Sequence, residues 1–328
     1  MTEQRQKETP FVRSDCGSFS GMKRFSHEAM ATTFEILIVH EAEHYARQAA
    51  TAAFDEVDRL ERELSRFVEN SDVARINNLP VGEPLLLGLE TFECLKISAR
   101  IYAETDGAFD VTIGSLLQCW RRKDGTPRTP SAEELELARR HTGTDLLHLD
   151  EDEHTVELSA SPVLVDLGGV GKGFAVDRVA ELLRDWSIET ALISGGYSSV
   201  LALDAPPGTE GWPLTLSNPA DRNEILARPH LRGGALGGSG VRKGDHIINP
   251  RTGRPTSGKL AAWSGAPDAA SADALSTAFM IMAPGEIEQY CARRRDTRAM
   301  VIMHEQGEET GRGRVLHFGQ WKGITSST

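Results

Sequence analysis

The stretch Asp166–Asp177, DLGGVGKGFAVD, constrains this chain more than any other. The apolar residues just before it read as a buried strand ending in an acid, after which glycines surround Lys172 and helical periodicity begins at once. A strand that turns so tightly into a helix calls for a fold that mixes the two. The free N–H groups and the dipole at such a helix start suit an anion, and glycines let the ligand approach the backbone. Two nucleotide-binding templates fail here. Lys172 is followed by Gly173 where a P-loop needs Ser or Thr, and the glycines do not fall as G-x-G-x-x-G. The segment alone leaves open a plainer reading, a tight turn that needs positive φ.

Periodicity along the rest of the chain gives the same mixed texture. Thr33 to Val39 reads as a strand, and Ala49, Ala53, Val57, Leu60 and Leu64 form one apolar helix face. A second helix is expected from Leu89 to Tyr102, stopping at Asp106-Gly107, and Ser131 with Glu134 makes a capping box for a third. LLHLD and TVELS read as a hairpin, with PVLVDL a further strand. A helix from Phe174 to Trp186, strand TALIS, a Gly-Gly turn and strand SVLALD follow. The run RGGALGGSG at 232–240 is the one candidate for a long flexible loop, placed beside a site. Residues 1–24 are polar and aperiodic and are expected to be a mobile tail ahead of a single α+β domain spanning 25–322.

Composition removes whole classes of function. Lys+Arg 36 against Asp+Glu 48 leaves a formal charge of -12, which repels a nucleic-acid backbone. No apolar run approaches the ~20 residues of a membrane-spanning helix. The start of the chain has no apolar segment after its charges, so the expectation is a cytoplasmic protein. Cysteines at 16, 94, 119 and 291 lack metal-type spacing and read as free thiols.

Further segments carry candidate chemistry. In SADALSTAFMIM, Asp273 falls in the expected first turn of a helix and Thr277 on the same face one turn later. A carboxylate beside a hydroxyl suits Mg²⁺, which takes few protein ligands and fills its shell with water and phosphate oxygens. Helix capping by Ser271 or Asp273 explains the same residues. His246, in GDHIINPRTGRP, follows a short apolar strand and has the titration range of a general base, as would any of the ten histidines. Asp106–Asp110, DGAFD, ends a helix and leaves Phe109 either to stack on a flat ring or to fill the core.

Taken in order, MATTFEI (30–36), LSRFVENSDVARIN (64–77), TDGAFDVTIGSL (105–116), DLGGVGKGFAVD, ISGGYSS (193–199), HIINPRTGRP (246–255) and ADALSTAF (272–279) resemble the FAD:protein FMN transferase family, the ApbE-like flavin transferases. The resemblance implies the ApbE-like α+β fold, with mixed sheets and flanking helices. It also implies an enzyme that uses Mg²⁺ to split the FAD pyrophosphate, releasing AMP and attaching FMN to a Ser or Thr of an acceptor protein. By the same resemblance the metal falls to Asp273, Thr277 and the carbonyl of Gly169, and the base for the acceptor hydroxyl to His246. FAD contacts fall to Met30, Phe67, Gly107, Ala108, Phe109, Asp166, Lys172 and Gly244. The alternatives are a FAD pyrophosphatase, with water in place of the acceptor, and a non-catalytic FAD-binding or carrier protein.

The chain departs from the family pattern at three places. Ala31 replaces a usual Gly, Tyr197 replaces an acid or amide after the Gly-Gly pair, and Gly238 stands where a Thr precedes Ser-Gly. No Asp-x-x-Ser/Thr-Gly-Ala-Ser/Thr acceptor motif occurs in the chain, so self-flavinylation is not expected.

Overall fold

The computed structural model describes residues 11–321, except 15, 18, 123–125, 220, 222–223, 242–246 and 305–312. Its centre is an eight-stranded sheet made of β1 (Met22–Ala29), β2 (Thr32–Val39), β3 (Ala191–Gly195), β4 (Ser199–Ala202), β5 (Gly234–Gly240), β6 (Lys259–Ala266), β7 (Arg298–His304) and β8 (Gly313–Phe318). These strands lie side by side in chain order, and every neighbouring pair is antiparallel. The helices are inserted between strands: α1 (Glu43–Leu64), α2 (Leu89–Glu104) and α3 (Gly171–Asp185) separate β2 from β3, and α4 (Ala269–Ile281) separates β6 from β7. The fold is α+β.

Strand alternation explains why the sheet is covered on both sides. Phe34, Ile36 and Ile38 of β2 point into the core shared with the helices, where the α1 stripe Ala49, Ala53, Val57, Leu60 and Leu64 is buried. Leu37 points the other way, into a second core with Leu236, Trp263, Met300 and Ile302. A smaller sheet closes that second face. It pairs Val12–Ser14 with Trp212–Ser217, which also pairs with Ile225–Ala227 and His230–Leu231.

Several expectations need correction. Structure begins well before Phe25: Val12 is buried, its strand is paired, and the Trp263 indole N–H donates to the Phe11 carbonyl at 2.9 Å. A three-residue strand is too short to show periodicity, and its partner lies some 200 residues away. PVLVDL is no strand: its one ladder pairing is an isolated bridge from Leu164 to Ile113.

The glycine run at 232–240 is the larger correction, because most of it is β5, inside the sheet between β4 and β6. A Cβ on Gly237 would sit 2.2 Å from the Ala272 carbonyl oxygen, so α4 lies directly on this strand. On the opposite face a Cβ on Gly238 would meet Phe11 at 2.8 Å. Gly237, Gly238 and Gly240 are there for close approach, not for flexibility.

Candidate active site

The site grows from the crossing of α3 and α4. α3 begins at Gly171, inside the glycine loop, so Lys172 and Gly173 belong to its first turn. A Cβ on Gly173 would lie 2.2 Å from the Ala269 oxygen, which fixes the two helices in backbone contact. α4 begins earlier than expected: Asp268 is its cap, accepting from Ser271 N at 2.7 Å, and Asp273 therefore stands in the second turn. Asp273 is only 3 % exposed. Its Oδ2 receives the Gly173 N–H at 3.2 Å and lies 3.4 Å from the Lys172 ammonium. The pair explains how a carboxylate can be buried here.

One turn on, Thr277 Oγ1 lies 3.2 Å from Ser239 Oγ, which is also 2.8 Å from Ser276 Oγ. The Ser276 hydroxyl in turn donates to the Asp273 carbonyl at 2.8 Å. Ser239 was not named as a site residue from the sequence, although it stands in the Ser-Gly pair of the family pattern.

The loop 166–170 closes over this helix face. Asp166 Oδ1 accepts the Gly168 N–H at 2.8 Å, and its Oδ2 lies 3.1 Å from Arg66 Nε. The Arg66 guanidinium stacks on the ring of Phe67, 4.5 Å from its centroid, and Phe67 itself is 82 % exposed. An open aromatic of that kind beside a glycine loop is placed to meet a flat ring. A Cβ on Gly169 would come within 3.5 Å of Thr277 Oγ1 and 3.1 Å of the Phe109 ring.

That last contact corrects the stacking role considered for Phe109. Its ring is buried in the core under Gly169, and Ala108 is buried with it, so both support the loop from below. Buried Asp110 holds the segment, its Oδ1 accepting from Thr112 N, Thr112 Oγ1 and Thr144 Oγ1 at 2.6–2.8 Å. Arg251, from the NPRTG turn, donates to the carbonyls of Thr105 and Asp106 at 2.6 and 2.9 Å and pairs with Glu286 at 2.8 Å. It holds the chain immediately before Gly107, whose φ is +72°.

Met30 sits in the two-residue turn between β1 and β2, with φ +50° for itself and +58° for Ala31. Both values favour glycine, so the Ala31 departure leaves a strained turn. The neighbouring β3–β4 turn brings this end of the sheet to α3: a Cβ on Gly196 would meet Thr32, and one on Gly195 would lie 3.3 Å from the Lys172 carbonyl. Tyr197, 44 % exposed, tops that turn. His246 and Gly244 lie outside the described residues. The structure thus brings Lys172, Gly169, Asp273 and Thr277 together, with Asp166 and Phe67 on the rim.

Among the described residues, no three His, Cys, Asp or Glu side chains cluster as a metal cage. The donor set at α4 is of another kind, with one buried carboxylate, one hydroxyl one turn on, and a glycine backbone passing close to that hydroxyl. Hard oxygens in small number fit Mg²⁺, which leaves its other positions to water and phosphate.

Comparison with known proteins now gives the family. Residues 30–302 match the model described as the ApbE family. The chain belongs to the ApbE family. A relative from Klebsiella pneumoniae (strain 342), named FAD:protein FMN transferase, is 26 % identical over 298 residues, covering 86 % of this chain and 85 % of its own. One of the same name from Vibrio cholerae is 30 % identical over 248 residues, 69 % of this chain and 72 % of its own. The crystal structure of the ApbE protein from Thermotoga maritima superposes with a TM-score of 0.79 at 27 % identity, covering 90 % of this chain and 97 % of that one. An ApbE chain is a transferase enzyme, and the α+β architecture described above is that of its solved relatives. Among the described residues, no helix is long and apolar enough to cross a membrane.

Proposed function

We propose that this protein is a Mg²⁺-dependent FAD:protein FMN transferase, moving FMN from FAD to a Ser or Thr hydroxyl of an acceptor protein and releasing AMP. The observation that carries the reading is the meeting of Lys172, Asp273 and Thr277 with the Gly168–Gly169 loop at the crossing of α3 and α4, in a chain of the ApbE family.

Each residue has a part set by its chemistry. The Lys172 ammonium, at the positive end of α3, attracts the pyrophosphate. Asp273, Thr277 and the Gly169 carbonyl would hold Mg²⁺, which when bound supplies positive charge against the phosphate oxygens. Phe67 and Met30 flank the flavin, and Asp166 keeps the glycine loop shaped through Gly168 N. The acceptor oxygen bonds to the FMN phosphorus as the bond from that phosphorus to the AMP oxygen breaks. His246 takes the hydroxyl proton. Positioning supplies most of the catalysis in such a transfer.

The test is incubation with FAD, Mg²⁺ and a peptide bearing a Ser/Thr flavinylation motif, read by intact mass, with an EDTA control. A metal-dependent gain of one FMN on the peptide supports the reading, and Asp273→Ala should abolish it. Free FMN and AMP with an unmodified peptide would make the enzyme a pyrophosphatase, and FAD bound but unconsumed would make it a carrier.

A further inference from the structure

We infer that Asp177 is a positioning residue for the face of α4 that carries Asp273 and Thr277: α3 and α4 exchange carboxylates, each meeting first-turn N–H groups of the other. What those two residues do rests on the proposed transferase reading.

The exchange follows from the unmet N–H groups that every helix start carries. At α4, Ala269 N donates to Asp177 Oδ1 at 2.7 Å and Ala270 N to Asp177 Oδ2 at 2.8 Å. At α3, the cap position Val170 supplies no side-chain acceptor, and Gly173 N donates to Asp273 Oδ2. Gly173 and Asp177 are one turn apart on α3, as Ala269 and Asp273 are on α4, so the two turns lie against each other in opposite senses. The missing Cβ of Gly173 permits the contact.

A helix that needs only a cap already has one in Asp268, which bonds its own Ser271 N. Asp177 does something different, because it ties the start of α4 to another helix across 92 residues of chain. Sliding or rotating α4 on α3 breaks both Asp177 bonds and the Gly173–Asp273 bond together. The register that holds Asp273 beside Lys172 is therefore fixed from both ends of one helical turn.

The test compares Asp177→Asn, which keeps the shape but turns an amide group toward one of the N–H donors, with Asp268→Ala, which removes the ordinary cap. For each, Mn²⁺ affinity is read by electron paramagnetic resonance, FMN transfer as kcat and KM for FAD, and stability as Tm. D177N should lose about tenfold or more in both kcat and Mn²⁺ affinity, the usual cost of removing a group that orients a metal ligand, with KM for FAD little changed. D268A should lower Tm while holding kcat and Mn²⁺ affinity within about twofold of wild type, since a cap acts mainly on helix stability. The inference is overturned if D177N keeps wild-type kcat and Mn²⁺ affinity, or if D268A loses as much. Should D177N not fold, hydrogen exchange of the wild-type 269–273 segment decides: added protection with Mg²⁺ supports the exchange, and unchanged protection refutes it. A wild type that binds Mn²⁺ but transfers no FMN sinks the transferase reading, while the metal affinities of the variants still decide this one.

Discussion

Replacing Gly173 by Ala tests the helix crossing on which the whole site rests. The added Cβ would lie 2.2 Å from the Ala269 oxygen, 2.6 Å from its carbonyl carbon and 2.8 Å from the Ala270 Cα, all backbone atoms that cannot rotate away. Real Cβ atoms essentially never come within 3.0 Å of a neighbour, so α3 and α4 must part by roughly 1 Å in an interior that is otherwise close-packed. That strain alone costs about 1–3 kcal/mol. An opening of this size also stretches the Asp177 bonds to Ala269 and Ala270 and the Gly173 bond to Asp273, each a charge-assisted contact worth about 1.5 kcal/mol or more. Alanine returns about 1 kcal/mol through its better helix propensity. The net loss is about 5 kcal/mol, and at roughly 2 cal/mol/K of unfolding entropy per residue this lowers Tm by about 8 °C. Calorimetry measures it directly, with Gly285→Ala as control, because that helical position has nothing within 4 Å of an added Cβ. G173A should also lose most of its FMN transfer as Asp273 moves from Lys172. A G173A protein with wild-type Tm and transfer would show that the helices do not depend on this contact.

Three other perturbations have signs set by the structure. Ala31→Gly removes a side chain from a position with φ +58° and should raise stability by about 1 kcal/mol, measured as a rise in the urea midpoint at constant slope. Arg251→Ala frees the Thr105 and Asp106 carbonyls and removes the arginine that pairs with Glu286; it should cost about 2 kcal/mol of stability and weaken FAD binding, read by flavin fluorescence, by loosening the chain before Gly107. The last is a pH effect. Burial pushes Asp177 up from 3.8 to about 7, with Asp268 and Glu181 adding repulsion, and the two N–H bonds from Ala269 and Ala270 offset only part of this. An acid raised in this way leaves stability untouched below its unfolded pKa. Stability then falls as pH rises toward 7, by up to about 1.4 kcal/mol per pH unit, and the loss is complete above that. Urea denaturation of wild type and D177N at pH 5 and pH 8 should show the wild type losing more between the two, and parallel losses would refute the shift.

Much of the fold was legible because its signals are local. The stripe from Ala49 to Leu64, the Ser131–Glu134 capping box and the alternation in β2 each state their structure within a dozen residues, and all three are present. The site was legible in kind for the same reason: Asp273 and Thr277 share a helix face whatever surrounds them, and Lys172 follows from the start of α3. The sequence could not say which partner each would meet. Phe109 shows the limit, since its composition and setting suit a stacking platform or a core residue equally, and only the position of Gly169 above it decides for the core.

The glycine run shows why the remainder was hidden. Read as a string, RGGALGGSG has the composition of a loop, since glycine weakens strands and carries no side chain to report a face. What makes it a central strand lies elsewhere: Ala272 on one side, Phe11 and Trp263 on the other, at separations from 25 to more than 200 residues. The same is true at Gly173 and Gly195, where the atom that forbids a side chain belongs to another element. Gly173 and Gly237 mark places where backbone meets backbone, and both lie against the helix that carries Asp273. A site assembled by such contacts has little slack, because a helix resting on a strand's main chain cannot shift without moving the strand. If that is how Lys172, Asp273 and Thr277 are held in register, then Gly237→Ala, with its Cβ 2.2 Å from the Ala272 oxygen, should damage transfer as severely as G173A. Full activity in G237A would mean that α4 tolerates displacement, and that its precision comes from the Asp177 and Lys172 contacts alone.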